Sequence, residues 1–362
     1  RCYIWLRANN IMETQQLTPV GGLTQNGFGD LGAGVVDVND LPTPDPFRLP
    51  LLTFTVPAGG TETVSFTIGP QASPVTVYWG DGTSSTVSEF AVTHNYTGLT
   101  PGNQVTITTD KSFTNFFKDT NFSSLENLIF WWDAIKGTSA NLVLKDIGLT
   151  RRMNPTMSGF YSNFNLKGNS ISGDFPNLIT AKTLFIDDNN FTGDLPQCLS
   201  NQINYVIKGN AFRGAIHDIS ANAGIKRYSA YGQDDGTRTS FLNPHIMLTG
   251  EITDLSSCSA LTYYHVGNGG PIEYNYGLAN KLTVASDFDV NTNIEEFYAG
   301  SCGLSESGVD LILAKFAAKV GTFNNPNKLS LGGNNAQASA AGLVNKVILQ
   351  NAGWTVITAP DF

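Results

Sequence analysis

The chain has 362 residues, of which 41% are apolar and 14% are charged, and its formal net charge is -9. This composition excludes a disordered chain. The acidic balance argues against a nucleic-acid partner and against a basic surface for an anionic membrane. No apolar run reaches the length of a membrane-spanning helix, so we expect no membrane insertion.

The first 50 residues lack the periodicity of a helix or a strand. A Gly-rich stretch, Gly21–Gly34, precedes a stretch that is punctuated by prolines, Leu41–Pro50. Two interpretations are open. The segment is an extended arm that attaches the chain to neighbouring proteins of an assembly, or it is a partly flexible leader.

Residues 51–112 predict a small antiparallel β-sandwich, because short alternating runs are separated by turn residues. The pentapeptide WGDGT at positions 79–83 is followed by HNY at positions 94–96. These motifs resemble the WGDGT…H-x-Y signature of PKD-like (polycystic-kidney-disease-type) β-sandwiches. The resemblance implies that Trp79 packs in the core and that Asp81 and Gly82 form a hairpin turn. It also implies that Asp81 and His94 are structural residues.

Three stretches of the chain, at 161–171, 181–191 and 202–212, repeat one another. Each fits the leucine-rich repeat template L-x-x-L-x-L-x-x-N-x-L, with Asn169, Asn189 and Asn210 at the Asn position. These asparagines are 20 and 21 residues apart, which is a leucine-rich repeat period. The alternating apolar residues predict short strands with one face in a core. The Asn side chains predict a ladder of hydrogen bonds to backbone groups at the bend.

Weaker copies extend the repeat in both directions, from about residue 120 to residue 336, as expected for a solenoid with atypical ends. Upstream they are Leu125–Ile135, with Asp133 at the Asn position, and a shortened unit at 142–144. Downstream they are a degenerate unit from Ile225 to Gln233, Ile294–Leu304 with Cys302 at the Asn position, and a last copy formed by Leu329, Leu331 and Asn334.

The C-terminal residues change to an α/β pattern. Ser305–Val320 has helical periodicity, with Ser305 or Ser307 as N-cap. A strand at Lys328–Leu331, a helix near Gln337–Gln350 and a final strand at Trp354–Ile357 follow. This ending, SGVDLILAKFAAK…NKLSLGGNNAQASAAGL…LQNAGWTVIT, resembles endings of leucine-rich repeat proteins of phages that infect Bacteroidota-type hosts. The resemblance implies a virion-attached fibre or spike.

These observations predict a mainly β fold with some α. The predicted parts are an N-terminal arm and linker (1–50), a small antiparallel PKD-like β-sandwich (51–112), a leucine-rich repeat solenoid (113–304) and α/β C-terminal repeats with a cap (305–362). The four cysteines are scattered, unlike those of a disulfide scaffold or a zinc site. We expect Cys198, Cys258 and Cys302 to be buried free thiols, with a Cys258–Cys302 bridge as the alternative.

Two irregular stretches suggest where a ligand binds. Asp234–Met247 interrupts the repeat, and insertions in solenoids form loops that often lie on the binding side. Tyrosines cluster there and in Tyr263–Gly277, and their rings and hydroxyls suit a sugar or a protein. The alternative is that the rings pack irregular repeats together. The candidate ligand- or receptor-binding residues are Tyr228, Tyr231, Arg238, Tyr263, Tyr264, Tyr274 and Tyr276.

No motif of a known catalytic class occurs, so we expect a protein that is not an enzyme and that has no cofactor and no metal. The pairs Asp187/Asp188 and Glu295/Glu296 are adjacent in sequence, so neither is expected to converge on one glycosidic bond. The stretch from Asp287 starts like a calcium loop, but Thr292 and Tyr298 occupy the positions that need Gly and Glu. An irregular calcium site and a polysaccharide depolymerase remain minor alternatives.

The expected function is host-cell attachment by a virion surface protein, a spike or tail fibre. Its expected partners are a host-cell surface glycan or protein, other virion proteins through the N-terminal arm, and further copies of itself in a homo-oligomer. Two alternatives remain open. One is a virion structural component that binds neighbouring capsid or tail proteins, and the other is an adhesin on a bacterial cell surface.

Overall fold

The computed structural model describes residues 7–8, 11–12, 48–113, 115–118, 126–130, 138–149, 153, 158–231, 248–267 and 280–360. The chain divides into two compact units, Arg1–Pro46 and Phe47–Phe362. In the first unit, β1 (Arg7–Ala8) pairs antiparallel with β2 (Ile11–Met12). The rest of the predicted N-terminal arm up to Phe47, with Cys2, lies outside the described residues.

The second unit begins with strands that pair antiparallel. Strand β3 pairs with β8, β8 with β5, β5 with β6, and β4 with β7. A bend before Phe90, whose φ is 76°, divides the residues from 84 to 96 into two strands. The bounds are β3 (Leu49–Thr55), β4 (Glu62–Ile68), β5 (Val75–Tyr78), β6 (Ser84–Val87), β7 (Phe90–Tyr96) and β8 (Gln104–Thr109).

The WGDGT motif forms the turn between β5 and β6. The Trp79 amide donates to the Thr83 carbonyl at 3.0 Å, and Trp79 is fully buried, so both predictions for this turn are confirmed. The Tyr96 hydroxyl donates to the Trp79 carbonyl at 2.6 Å. His94 stacks on the Trp79 ring at 4.6 Å between centroids, and its Nε2 lies 2.7 Å from Asp81 Oδ2. Packing and hydrogen bonding therefore account for Asp81 and His94.

The chain then builds parallel sheets. Nine strands follow β9 in one twelve-stranded sheet, and all of these neighbours pair parallel. This large sheet contains β9 (Asn115–Lys118), β11 (Thr138–Val143), β12 (Ser158–Asn165), β14 (Leu178–Phe185), β16 (Asn204–Val206), β18 (Arg227–Ser229), β20 (Tyr263–His265), β22 (Glu296–Tyr298), β23 (Lys328–Leu331) and β24 (Thr355–Thr358).

A second, five-stranded parallel sheet takes one strand from each of the five segments that connect the strands of the large sheet from β12 to β22. We call one pass of the chain through both sheets a coil. The second sheet contains β13 (Ser172–Asp174), β15 (Asn190–Asp194), β17 (Ala211–Ala215), β19 (Leu248–Ile252) and β21 (Lys281–Val284). The fold is thus mainly β with some α, and from β12 to β22 the chain alternates between two parallel sheets.

Strand β9 joins the antiparallel and parallel parts. It pairs antiparallel with β4 on one edge and parallel with β11 on the other. The large sheet therefore runs without a break across residue 112, the predicted boundary between two modules. The four-part division of the chain stays a prediction.

One predicted repeat copy is wrong. Strand β10 (Glu126–Phe130), within the copy assigned to Leu125–Ile135, pairs antiparallel with β3 and lies outside the parallel run. An alternating apolar pattern specifies which face of a strand is buried but not the direction of its neighbour. Asp133, assigned to the Asn position of that copy, lies outside the described residues.

The predicted Asn ladder is confirmed. Asn169 Oδ1 accepts from the amides of Ile147 and Leu149 at 3.2 and 3.1 Å, and its Nδ2 donates to the carbonyls of Leu144 and Leu166. The other two asparagines of the template make the same kind of bonds one coil further on, at Asn189 and Asn210. Each side chain therefore ties two coils together where the chain bends.

In the last copy the ladder position belongs to Asn335 and not to Asn334, so that assignment is corrected. Asn335 Oδ1 accepts from the amides of Cys302 and Leu304 at 2.9 and 3.0 Å. Asn334 is displaced from the ladder and accepts from the Gly303 amide at 3.2 Å. The template lacks one residue that this copy contains between its last core leucine and the asparagine.

Helices replace the second sheet in the final coils. Helix α1 (Glu306–Ala317) follows β22, and helix α2 (Ala340–Asn351) follows β23. The Ser305 side chain caps α1 by accepting from the Gly308 amide at 3.2 Å, which confirms one of the two predicted caps. In the described part of the chain, no helix is long and apolar enough to cross a membrane.

Three cysteines of the second unit are free thiols. Cys258 and Cys302 are buried and do not form the alternative bridge, and Cys198 is half-buried. The Cys302 thiol donates to the Val266 carbonyl at 3.7 Å, so it serves in the ladder position as predicted.

Candidate functional site

Alternation along β18 and β20 separates the predicted tyrosines onto two faces of the large sheet. Tyr228 and Tyr264 lie on the inner face and are 0% and 1% exposed. Tyr231 and Tyr263 are half-buried on the opposite face, which we call the outer face. Residues next to each other on a strand point to opposite sides of the sheet, so these four tyrosines cannot form one surface.

The inner tyrosines belong to a stack of rings in the core. The ring centroids of Tyr205 and Tyr228 are 5.1 Å apart, those of Tyr228 and Tyr264 are 5.4 Å apart, and those of Tyr264 and Phe297 are 5.3 Å apart. Burial raises the pKa of Tyr228 and Tyr264 far above the usual range of a phenol. Both residues are therefore removed from the candidate binding set, and the packing interpretation is correct for them.

Three other candidates, Arg238, Tyr274 and Tyr276, lie outside the described residues. The remaining two, Tyr231 and Tyr263, form an aromatic cluster on the outer face with two residues that were not predicted, His265 and Tyr298. His265 is stacked between Tyr231, at 3.5 Å between centroids, and Tyr298, at 4.5 Å. Tyr263 contacts Tyr298 at 5.8 Å, and its hydroxyl lies 3.0 Å from His265 Nδ1. Neighbouring strands of the sheet thus hold four rings in one group.

A cation lies over three of these rings. Lys208 Nζ is 5.6 Å from the Tyr231 centroid, Arg227 Cζ is 4.5 Å from that of Tyr263, and Lys328 Nζ is 5.3 Å from that of Tyr298. These distances are within the range of cation–π attraction, which holds a long basic side chain in a limited set of positions. The cluster therefore presents positive charge from three different strands or their ends.

The hydroxyls of Tyr263 and Tyr298 stay protonated at neutral pH. Burial raises the pKa of Tyr263 to about 12. Burial, with help from Glu296, raises the pKa of Tyr298 as well. The Tyr298 hydroxyl donates to Glu296 Oε2 at 2.8 Å, so this carboxylate is already engaged.

Two buried polar atoms beside the aromatic cluster have no hydrogen-bond partner in the described part of the structure. They are His265 Nε2 and Ser229 Oγ, and their residues are 4% and 2% exposed. The two residues face each other in the β18–β20 pairing. A buried polar atom without a partner costs about 1–3 kcal/mol, so such atoms usually meet a water or a ligand.

His265 is neutral at physiological pH. Burial lowers its pKa well below the usual value, and the Gly267 backbone opposes this shift only in part. No described atom has hydrogen-bonding geometry to Nε2. A neutral imidazole between two phenol rings can offer one ring nitrogen to a ligand while the other keeps its bond to Tyr263.

These groups do not make a recognisable catalytic set. Ser229 Oγ and His265 Nε2 are not hydrogen-bonded to each other, whereas a serine nucleophile needs a base within reach. In the two acidic pairs, each carboxylate has a partner, and that of Asp188 is Lys208 Nζ at 3.6 Å. Asp187 Oδ2 lies 3.1 Å from Lys167 Nζ, while burial raises the pKa of Asp187 against that attraction. Glu295 accepts from Asn325, and Glu296 from Tyr298.

Asp289, in the stretch that resembles the start of a calcium loop, pairs with Lys319 at 2.9 Å. The described residues contain no group of three or more potential metal ligands.

The sequence shows a partial similarity to one kind of known protein. An inactive leucine-rich repeat receptor-like serine/threonine-protein kinase of Arabidopsis thaliana is 32% identical over 80 residues. The match covers 19% of this chain, and the chain spans 12% of the length of that relative. No family model matches the chain, and no solved structure matches it. The similarity supports a leucine-rich-repeat-like character for a short part of the chain.

Proposed function

We propose that the chain is a non-enzymatic recognition protein of a virion, and that it attaches the particle to a host cell. In this proposal a PKD-like β-sandwich precedes a leucine-rich repeat solenoid, and the outer face of the large sheet is the binding surface. The observation that carries the proposal is the aromatic cluster Tyr231, Tyr263, His265 and Tyr298, with the cations Lys208, Arg227 and Lys328 over its rings. Aromatic and arginine side chains are the commonest anchors of protein recognition surfaces.

The rigidity of the coils supports a display role. The Asn ladder and the inner ring stack fix each coil against the next, so the outer side chains are held in place before a ligand arrives. A preorganised surface loses less conformational entropy on binding. Copies of one weak site on a single particle also gain affinity through multivalency, which suits a homo-oligomer.

The virion location rests on the C-terminal resemblance to leucine-rich repeat proteins of phages. In the same proposal, residues 1–50 attach the chain to other virion proteins. These two parts are independent of the outer face, and the test below addresses only the binding role.

A second candidate is a structural component of the virion. Helix α2 exposes four apolar side chains, a feature that favours contacts with a neighbouring protein. They are Leu343, Val344, Val347 and Ile348, which are 46%, 60%, 52% and 41% exposed. In this role the aromatic cluster is not needed for host contact.

Binding of the full chain to intact candidate host cells tests the first candidate. We expect saturable binding, lost after periodate treatment if a glycan is the receptor and retained if a protein is. Tyr263→Ala should weaken it. Tyr78→Ala is the matched control, because Tyr78 is also half-buried and also has an arginine over its ring, Arg48 at 3.6 Å. Equal binding by both variants and the original chain would reject this face, and no binding to any host would favour the structural role.

A further inference from the structure

The outer face carries three cations at the aromatic cluster and, in register between Tyr263 and Lys328, the carboxylate of Glu296. The formal net charge is -9, yet Lys208, Arg227 and Lys328 all lie over the aromatic cluster. Among the described residues, neither Arg227 nor Lys328 has a carboxylate within ion-pair distance, whereas Lys208 lies 3.6 Å from Asp188. Two of the three cations are therefore available to an anionic ligand.

The buried polar groups of Ser229 and His265 favour a ligand that forms hydrogen bonds. Ser229 Oγ and His265 Nε2 are buried on facing positions of β18 and β20 and have no partner in the described residues. A serine hydroxyl both donates and accepts, and a neutral imidazole nitrogen does one or the other. A ligand rich in hydroxyl groups can satisfy both atoms, while an aliphatic side chain cannot.

The sheet geometry disfavours an extended peptide. Strands β18, β20 and β22 each pair with a neighbour on both edges, so none offers a free edge for strand addition. The outward positions of these strands are polar or carry a hydroxyl, so they form no apolar pocket for peptide side chains. These positions are Arg227, Ser229, Tyr263, His265, Glu296 and Tyr298.

We propose that this outer face binds a carboxylate-bearing glycan, such as a polymer of uronic acids. The inference rests on the proposed function and names the ligand class for the same surface. Arg227 and Lys328 pair with the sugar carboxylates, and Ser229 and His265 hydrogen-bond to sugar oxygens. The exposed parts of the Tyr231 and Tyr263 rings contact the carbon skeleton of the sugar.

Calorimetric titration of the full chain with matched saccharides tests the ligand class. The carboxylated probes are oligogalacturonate, alginate oligosaccharides and hyaluronate oligosaccharides. The controls are methyl-esterified oligogalacturonate, which keeps the sugar chain and replaces each negative charge by a methyl ester, and neutral cello-oligosaccharides. We expect at least one carboxylated probe to bind. We also expect the neutral forms to bind about tenfold more weakly or worse, because they lose charge-assisted hydrogen bonds.

Variants connect the binding to these residues. Arg227→Gln and Lys328→Gln should each weaken binding of the carboxylated probe by about tenfold and reduce its dependence on salt. Lys281→Gln is the control, because Lys281 is an exposed cation on β21 of the other sheet. Ser229→Ala should weaken binding without changing its salt dependence. Melting curves establish that each variant is folded.

The contrary outcomes are distinct. Equal affinity for the acid and its methyl ester, or equal effects of Arg227→Gln and Lys281→Gln, would overturn the charge pairing. Binding of sulfated saccharides or of poly-glutamate, with none of the carboxylated probes, would overturn the carboxylated-glycan class. If no saccharide binds while host cells still bind the chain through Tyr263, the glycan inference fails and the attachment function stands. If neither saccharides nor cells bind, both fail.

Discussion

The coils that carry β12 to β16 and the coils that carry β18 to β22 share one sheet but present different chemistry. On the outer face the first group carries Asn163, Thr183 and Asn204 in one row, and Asn165, Phe185 and Val206 in the next row. The second group carries Arg227, Tyr263 and the rest of the aromatic cluster. Inner-face residues of both groups are buried and apolar or aromatic. The comparison shows that the core keeps the repeat while the outer positions are free to change, so function should be sought at the outer positions of the irregular coils.

The largest expected effect comes from comparing a substitution on the inner face of β20 with one on its outer face. Tyr264→Ala should lower the free energy of unfolding by about 3–5 kcal/mol, because it opens a cavity inside the ring stack. Tyr263→Ala, one residue earlier on the outer face, should lower it by about 1 kcal/mol or less. Urea denaturation measures both. A similar loss for the two variants would show that the faces are not energetically distinct.

The next effect concerns the Asn ladder of the regular coils. Asn189→Ala should lower the free energy of unfolding by about 2–4 kcal/mol, because the amide of Ile171 and the carbonyls of Leu166 and Ile186 lose their partner. Asn204→Ala, on the outer face of β16, should change it by about 0.5 kcal/mol or less. If Asn189→Ala were as mild as its control, backbone groups at the bend would have to find other partners.

A pH titration of stability separates the irregular coils from the regular ones. The folded pKa of His265 lies well below the unfolded value of about 6.5, so the unfolded state binds its proton first. Stability should therefore fall as pH drops below about 6.5, with a limiting slope of about 1.4 kcal/mol per pH unit from this group. His217 also has a pKa lowered by burial, so the original chain contains both contributions.

The variant His265→Gln isolates the cluster in this experiment. The free energy of unfolding of this variant should depend less on acid pH, because the contribution of His265 is removed. The contribution of His217 should remain. An unchanged pH profile would mean that the His265 ring is open to protons in the folded state.

The smallest effect concerns the hydroxyl of Ser229. Because its Oγ has no partner among the described residues, Ser229→Ala should leave the free energy of unfolding unchanged or raise it by up to about 1 kcal/mol. Ser65→Ala is the control and should be destabilising, because Ser65 Oγ accepts from Thr93 at 3.1 Å. Calorimetric melting measures both, and a clear loss for Ser229→Ala would reveal a partner for that hydroxyl.

Local patterns allowed parts of the fold to be predicted. Asn169, Asn189 and Asn210 were predictable because the bend, the preceding strand and the asparagine lie within one short segment. The pairing direction of β10 was not, since it depends on a partner more than seventy residues away in sequence. The exchange of Asn334 for Asn335 depends on a single extra residue in a glycine-rich bend, which a template of fixed length does not contain.

The candidate site was predictable only in part. Tyr231 and Tyr263 were identified by their type, and Tyr228 and Tyr264 were included wrongly because nearness in sequence was taken for a shared surface. The leucine-rich repeat template would have predicted which side chains face outward. The positions on both sides of a core residue face outward, and this rule would have separated Tyr264 from its neighbour His265. It does not predict the cations over the rings, which come from different coils.

The double role of β9 has a consequence for any shortened form of this protein. A fragment that begins at residue 113 would lose β4 and leave one edge of β9 with unpaired backbone donors and acceptors. An open edge of this kind is a template for pairing with another chain. The antiparallel strands thus cover the edge at which the parallel part of the sheet begins. Their removal should favour self-association and aggregation.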